Sequence, residues 1–282
     1  MAPHQLDRRT FIMDIGKGVV AVAILGPAVV ACSSTGTSDT TVPAPTTTAG
    51  GTEPPGSTTS QPAATTTAEP ATTTTGAASG GVTVQRVSLG GVSAYVLARA
   101  GAAVVVDTGN PGSETAIEAG LSEIGLGWGD VGDVIVTHLH PDHKGSLGVV
   151  LTNAADATGY AGAEDIAAIT SPRPLTAVGD GDMVFGLEII ETPGHTPGHI
   201  SVFDPIGQIL VAGDALNGEG SGLPANSGGV AGPNPQYTPN MALAEQSAVK
   251  LAGLDFDAAY FGHGEPVETG AGAAVQDLVA TL

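Results

Sequence analysis

The stretch Thr137-His138-Leu139-His140-Pro141-Asp142-His143-Lys144-Gly145 constrains this chain more than any other. It follows Asp133-Val134-Ile135-Val136, a short β-branched apolar segment that reads as a buried strand. Three imidazoles and a carboxylate therefore gather on the loop leaving a strand's carboxyl end, where α/β folds keep their chemistry. Imidazole is a borderline-soft donor suited to zinc, and Asp142 adds a hard oxygen. Without a metal the same four groups would be partly desolvated, each needing its own partner. A His-rich surface loop is the bland alternative, and the spacing weighs against it.

Three residues downstream share that position. His195 lies in Thr192-Pro193-Gly194-His195-Thr196-Pro197-Gly198-His199, directly after an expected strand. Asp214 ends Ile209-Leu210-Val211-Ala212-Gly213-Asp214, and His263 follows Ala258-Ala259-Tyr260-Phe261-Gly262. Singly, a His or Asp after a strand is more often a turn residue than a ligand. Together they carry weight, because five of the six histidines after residue 80 stand at strand ends with Gly or Pro close by.

In these residues the chain resembles the metallo-β-lactamase superfamily, whose signature is His-x-His-x-Asp-His followed by spaced His, Asp and His. The resemblance spans residues 82–282 and fills every ligand position. It implies an α/β fold, a four-layer αβ/βα sandwich with its metals at one edge of the paired sheets. It also implies two divalent metal ions, zinc being expected. His138, His140 and His195 would hold one, Asp142, His143 and His263 the other, and Asp214 would bridge them. The implied chemistry is hydrolysis of an ester, thioester or lactone by a bridging hydroxide, with no Ser or Cys nucleophile required. Asp142 is the catalytic candidate, steering the attack; alternatively Asp142 and His143 only position the second metal.

Around the ligands, Asp107 and Thr137 are candidates to orient an imidazole through its other nitrogen. For Asp107 an Asx-turn in Asp107-Thr108-Gly109 is an equally good reading. His199 is expected to be a structural hydrogen-bonder, since the seven ligand positions are taken, and Lys144 to be a surface charge. Asp214 stands where cysteine-containing β-lactamases carry a thiolate, and His140 where the diiron reductases carry Glu, which lowers both readings. Only 19 residues follow His263, against the helical glutathione-binding domain of glyoxalase II enzymes. The alternatives kept are a β-lactam hydrolase and a catalytically idle, metal-stabilised binding lipoprotein.

The N-terminus reads as an address. Asp7-Arg8-Arg9-Thr10-Phe11-Ile12 resembles the twin-arginine signature of proteins exported already folded, departing from it at Asp7 and Met13. An apolar run from Gly18 to Val30 has the length of a signal core, short of the roughly 20 residues needed to span a bilayer. Val29-Val30-Ala31-Cys32 resembles a lipobox, with Cys32 as the lipid attachment point. Cys32 is the only cysteine, which excludes an intramolecular disulfide and thiolate ligation in the domain. Residues 1–32 are thus read as a lipoprotein signal, and 33–80, rich in Thr, Pro, Ser and Gly, as a disordered tether reaching about 40 Å. The expected location is the outer face of the cell membrane, held through the lipid.

Residues 81–282, the expected hydrolase domain, hold five basic side chains (Arg86, Arg99, Lys144, Arg173 and Lys250) against 23 acidic ones, a charge near −18. Such a surface repels phosphate backbones, so a small-molecule substrate is expected and nucleic acid is not. Periodicity predicts a hairpin over 82–97, a strand at 102–106, and a helix from a Ser113 cap to Ile124. It then predicts a helix over 145–151, a β–α pair around 158–169, one strand over 183–191 and a hairpin over 200–211. A long loop at 217–238, a helix over 242–251, a strand at 258–261 and a final helix from 271 complete the expectation. Leu216, Tyr237 and that loop are expected to line the pocket.

Overall fold

The computed structural model describes residues 80–282. The expected signal, Cys32 and all but the last residue of the tether lie outside the described residues. The domain opens with β1 (Thr83–Ser88), β2 (Ser93–Arg99), β3 (Ala102–Val106) and α1 (Glu114–Glu123). A 3-10 turn at Trp128–Asp130 leads into β4 (Val131–Val136), α2 (Pro141–Lys144) and α3 (Leu147–Asn153). β5 (Thr158–Gly162), α4 (Ala163–Ile166) and β6 (Thr176–Val178) close the first half. The second half runs β7 (Met183–Val184), β8 (Leu187–Glu191), β9 (Ile200–Asp204), β10 (Ile209–Gly213), β11 (Asn217–Gly218) and β12 (Val230–Ala231). It ends with α5 (Met241–Leu251), β13 (Ala258–Phe261) and α6 (Ala271–Val279).

Two mixed sheets result, ordered β1-β2-β3-β4-β5-β6 and β13-β10-β9-β8-β7, with β11-β12 as a separate ribbon. Side-chain alternation sorts the core into three slabs. On β3, Ala103 and Val105 face α1 and α3, whereas Val104 and Val106 face the other sheet. On β10, Val211 joins that central slab while Leu210 and Ala212 pack toward α5 and α6. Helix, sheet, sheet, helix is the αβ/βα sandwich. It explains why the central strands read as unbroken apolar runs, since both faces are buried. Each fully buried Val or Leu contributes about 1.5–3 kcal/mol, so the central slab is costly to disturb.

Parallel pairing places the site. β3 and β4 run parallel, as do β10 and β13, and β8 shares the direction of β10 through antiparallel β9. Their carboxyl ends therefore deliver Asp107, His138, His195, Asp214 and His263 to one edge of the sandwich. Among the described residues no helix is long and apolar enough to cross a membrane.

Four local expectations need correction. Residues 183–191 are not one strand: Phe185 and Gly186 both take positive φ (56° and 75°) and fold β7 back on β8. Such a turn is normally announced by Asn-Gly or Asp-Gly. Here Phe185 takes the place, packing against the central slab with Arg99 stacked 5.8 Å from its ring centroid. Ser113 makes no side-chain cap; its N–H instead donates to Ser146 Oγ at 2.8 Å. The helix expected over 145–151 is α3, shifted to Leu147–Asn153, and the unexpected α2 precedes it, because extended His140 lets Pro141 open a turn at the first helical position. Finally, the 217–238 loop contains the β11-β12 ribbon.

Candidate metal centre

Rigid elements aim the histidines, and their outer nitrogens choose which inner nitrogen is offered. Thr137, first residue after β4, has a hydroxyl 2.8 Å from Asp107 Oδ2 and 3.0 Å from His138 Nδ1. The hydroxyl donates to the carboxylate and accepts from the ring, so His138 presents Nε2 inward. That atom lies 3.1 Å from His140 Nδ1, which lies 2.9 Å from His195 Nε2. His195 is held from behind by Thr238 Oγ1 at 3.1 Å. Three ring nitrogens about 3 Å apart approximate one face of the tetrahedron that zinc–nitrogen bonds of 2.0–2.1 Å define, whose edge is about 3.3 Å.

Beside it a second group forms from Asp142, His143 and His263. Asp107 Oδ2 accepts His143 Nδ1–H at 2.8 Å, and the Gly91 carbonyl accepts His263 Nδ1–H at 2.6 Å, so both offer Nε2. Asp142 Oδ2 lies 3.5 Å from His263 Nε2 and 3.9 Å from His143 Nε2. Asp214 stands between the groups, with Oδ2 3.4 Å from His195 and 3.3 Å from His263 and Oδ1 3.4 Å from His143. Gly262 makes this approach possible, because a Cβ there would fall on Asp214 Oδ1 and within 2.7 Å of His143 Cε1.

The donors fit a metal by an accounting of buried polar atoms. His143 Nε2 and Asp214 Oδ1 are buried and have no hydrogen-bond partner. Buried polar atoms left unpaired cost about 1–3 kcal/mol each, and two aimed at one point call for a cation there.

The family model described as the metallo-beta-lactamase superfamily matches residues 87–263. The chain belongs to that superfamily.

Superfamily relatives are similar over parts of their length. A probable metallo-hydrolase of Bacillus subtilis, YflN, is 43% identical over 82 residues, 28% of this chain and 31% of that protein. A metallo-beta-lactamase domain-containing protein of Xenopus laevis is 36% identical over 128 residues, 42% of this chain and 52% of its own. A hydroxyacylglutathione hydrolase of Erwinia tasmaniensis is 42% identical over 94 residues, 32% and 35% respectively. The chain therefore spans between 31% and 52% of these relatives. Among solved structures, a metallo-beta-lactamase family protein of Thermus thermophilus superposes with a TM-score of 0.56 at 25% identity, covering 71% of this chain and 79% of that one. The metallo-beta-lactamase SMB-1 gives 0.54 at 20% identity, covering 72% and 92%, a likeness of fold alone.

Electrostatics divide the superfamily site in two. In the metal-free protein, burial and neighbouring imidazoles hold His138 well below the usual histidine range, and burial takes His195 down to about 4 despite Asp214. Burial likewise lowers His140, against the opposing pull of Asp214. At His143 burial also pulls downward, but Asp214, Asp107 and Asp142 outweigh it and lift the group to about 9. His263 is raised, chiefly by Asp214. Burial pushes Asp214 up, yet the surrounding imidazoles win and hold it well below the carboxylate range.

The structure settles the geometry of two residues the sequence left open. Asp107 forms no Asx-turn: its carboxylate accepts the Thr137 N–H and hydroxyl and the His143 ring, with its own φ at +60°. His199 Nε2 accepts the Asp214 N–H at 3.0 Å and its Nδ1 bonds Thr192 Oγ1 at 2.7 Å, so neither nitrogen is free. Burial lowers its pKa to about 3, keeping the ring neutral as that acceptor role requires.

Sequence reasoning missed Asp165, which is fully buried. Its Oδ2 accepts the Leu139 N–H at 2.9 Å and the Thr196 hydroxyl at 2.6 Å, and its Oδ1 accepts the Gly198 N–H at 2.8 Å. One carboxylate from α4 thus ties the His138–His140 loop to the His195–His199 loop. Gly198 permits the approach, since a Cβ there would meet Asp165 Cβ at 2.9 Å. Asp165 sits in Ala163-Glu164-Asp165-Ile166, where no spacing signals a partner; only the tertiary contact of α4 with the Thr196–Gly198 turn brings it in. The ligands open on a cleft of about 430 Å³, where Tyr237 is the expected wall and Leu216 instead lies fully buried in the outer slab.

Proposed function

We propose that this superfamily member is a metal-dependent hydrolase that uses two divalent ions, zinc by preference, to cleave an ester, thioester or lactone. The observation that carries the reading is the convergence of seven donors, two of them buried and unpaired, at the floor of a cleft. His138, His140 and His195 would hold one ion, Asp142, His143 and His263 the other, and Asp214 both. When bound, such ions acidify water toward neutrality and polarise a carbonyl oxygen.

The chain's own part is positioning. Asp142, a third exposed at the cleft wall, accepts a hydrogen bond from the attacking water and orients it toward the carbonyl carbon. Asp107 and Thr137 lock His143 and His138 in the tautomers that offer Nε2. His199 fixes the Asp214 backbone and so the central carboxylate.

We further propose that the domain works outside the cytoplasm, exported through the twin-arginine route and held to the membrane's outer face by lipid on Cys32 and a tether over 33–80. The Asp7–Ile12 pattern, the apolar run and the lipobox-like Val29–Cys32 support this. The decisive experiment is metal analysis with a panel of esters, thioesters, lactones and β-lactams. About two zinc per chain with turnover is expected; full metal loading without turnover on any substrate points to the idle binding lipoprotein.

A further inference from the structure

The cleft has acidic and neutral walls and no Lys or Arg. All five basic side chains of the described domain are engaged elsewhere. Arg86 pairs with Glu265 and the Gly264 carbonyl, and Arg99 faces Asp204 at the opposite end of β2. Lys144 donates to the Ala168 carbonyl, and Arg173 donates to the carbonyls of Leu151, Ala154 and Ala157. Lys250 pairs with Asp180 and the Glu191 carbonyl. None of the five lines the cleft. A carboxylate or phosphate carried away from the scissile bond therefore meets no basic side chain, and it approaches a domain of charge near −18.

What the far wall offers is uncharged and polar. Ser221 lines the cleft with a buried hydroxyl that has no hydrogen-bond partner. Asn234 uses its Oδ1 on the Gln236 N–H, which leaves its amide nitrogen as a donor. Tyr237, 56% exposed, forms an aromatic rim. A buried hydroxyl without a partner is penalised unless the occupant supplies one. We infer that the cleft selects a substrate whose part remote from the scissile carbonyl is uncharged and carries a hydroxyl or amide, met by Ser221, and that it discriminates against remote carboxylates and phosphates. The inference rests on the hydrolase reading for its substrate language, and its test is built to stand apart from it.

The full chain, loaded with zinc, is assayed with two p-nitrophenyl esters that share the scissile bond: one of 6-hydroxyhexanoic acid, one of adipic acid. A kcat/KM at least about tenfold higher for the hydroxyl ester is expected at low salt, shrinking in high salt as the repulsion is screened. Equal or reversed values overturn the inference while leaving hydrolysis established. Tyr237→Lys, which adds the missing cation, should narrow the gap at least about threefold, and an unchanged gap counts against a charge origin. Ser221→Ala should lower the preference for the hydroxyl ester over the plain hexanoate by about fivefold; an unaltered preference removes Ser221 from recognition. If neither ester turns over, the hydrolase reading is decided by the wider substrate panel and the selection is read from binding. Calorimetry with the matching p-nitroanilides then reads the same selection from Kd, and a carboxylate anilide that binds as tightly or more tightly overturns it.

Discussion

The two ligand groups are built from the same residue types and lie side by side, yet the fold treats them oppositely. His138 and His195 are buried and kept neutral, and His140 is lowered with them. Across Asp214, His143 and His263 are raised by carboxylates. A neutral imidazole is already in the form that binds metal, whereas a protonated one must first give up its proton. The first group is therefore a standing ligand set, and the second is one that protons contest. Bracing differs as well. Asp165 ties together the two loops of the first group, while Asp107 reaches into both, through Thr137 to His138 and directly to His143.

The largest effect should come from removing the shared carboxylate together with one ligand of the three-histidine group. His138→Ala combined with Asp214→Ala is expected to lower turnover by at least about 10³-fold and to leave less than one zinc per chain by elemental analysis. Surviving turnover would take this site out of the mechanism. Next, Asp107→Ala should weaken zinc at the His143 group by about 10- to 100-fold, with a smaller change at the three-histidine group, read by competition with a chromophoric chelator. Asp165→Asn should do the reverse, weakening the three-histidine group by about tenfold. Should both variants weaken both groups alike, the two are one cooperative unit and the contrast is lost.

Protons provide the finer test. At about pH 7.5, zinc uptake by the His143 group should release about one proton more than uptake by the three-histidine group, the extra one coming from His143. Calorimetry in two buffers of different ionisation enthalpy measures the difference. Stability of the metal-free protein follows with worked signs. His138, His195 and His199 stay neutral in the fold, so below about pH 6.5 the unfolded chain takes up protons that the fold refuses, and stability falls with pH. His143 is raised, so its contribution is complete below about pH 6.5 and is lost as pH climbs through about 9. Melting curves in chelator across that range should show a maximum between the two limbs. Zinc should remove the alkaline loss, because the ion replaces the proton.

Much of the site was legible in the sequence. The seven donors could be read because each follows a short apolar strand, and strand ends are where an α/β fold concentrates chemistry. The central strands were legible because burial on both faces leaves an unbroken apolar run, as in Ala102–Val106. The β7–β8 turn was not, since Phe185 adopts a positive φ that its side chain does not advertise and that packing against the central slab supports. The Ser113 cap was not legible either: Ser113 takes helical backbone angles (φ −80°, ψ −9°) where a capping residue is normally extended, and its N–H reaches Ser146, 33 residues away.

The sequence by itself determined the donor inventory, most of the strand and helix succession and the acidic balance, because these are local properties of composition and period. Only the tertiary structure decided which nitrogen each imidazole presents, that Asp107 and Asp165 brace the ligands, and that every basic side chain of the described domain is turned away from the cleft. Those are matters of hydrogen-bond partners tens of residues apart, and of the field that buried neighbours create. No spacing along the chain encodes them.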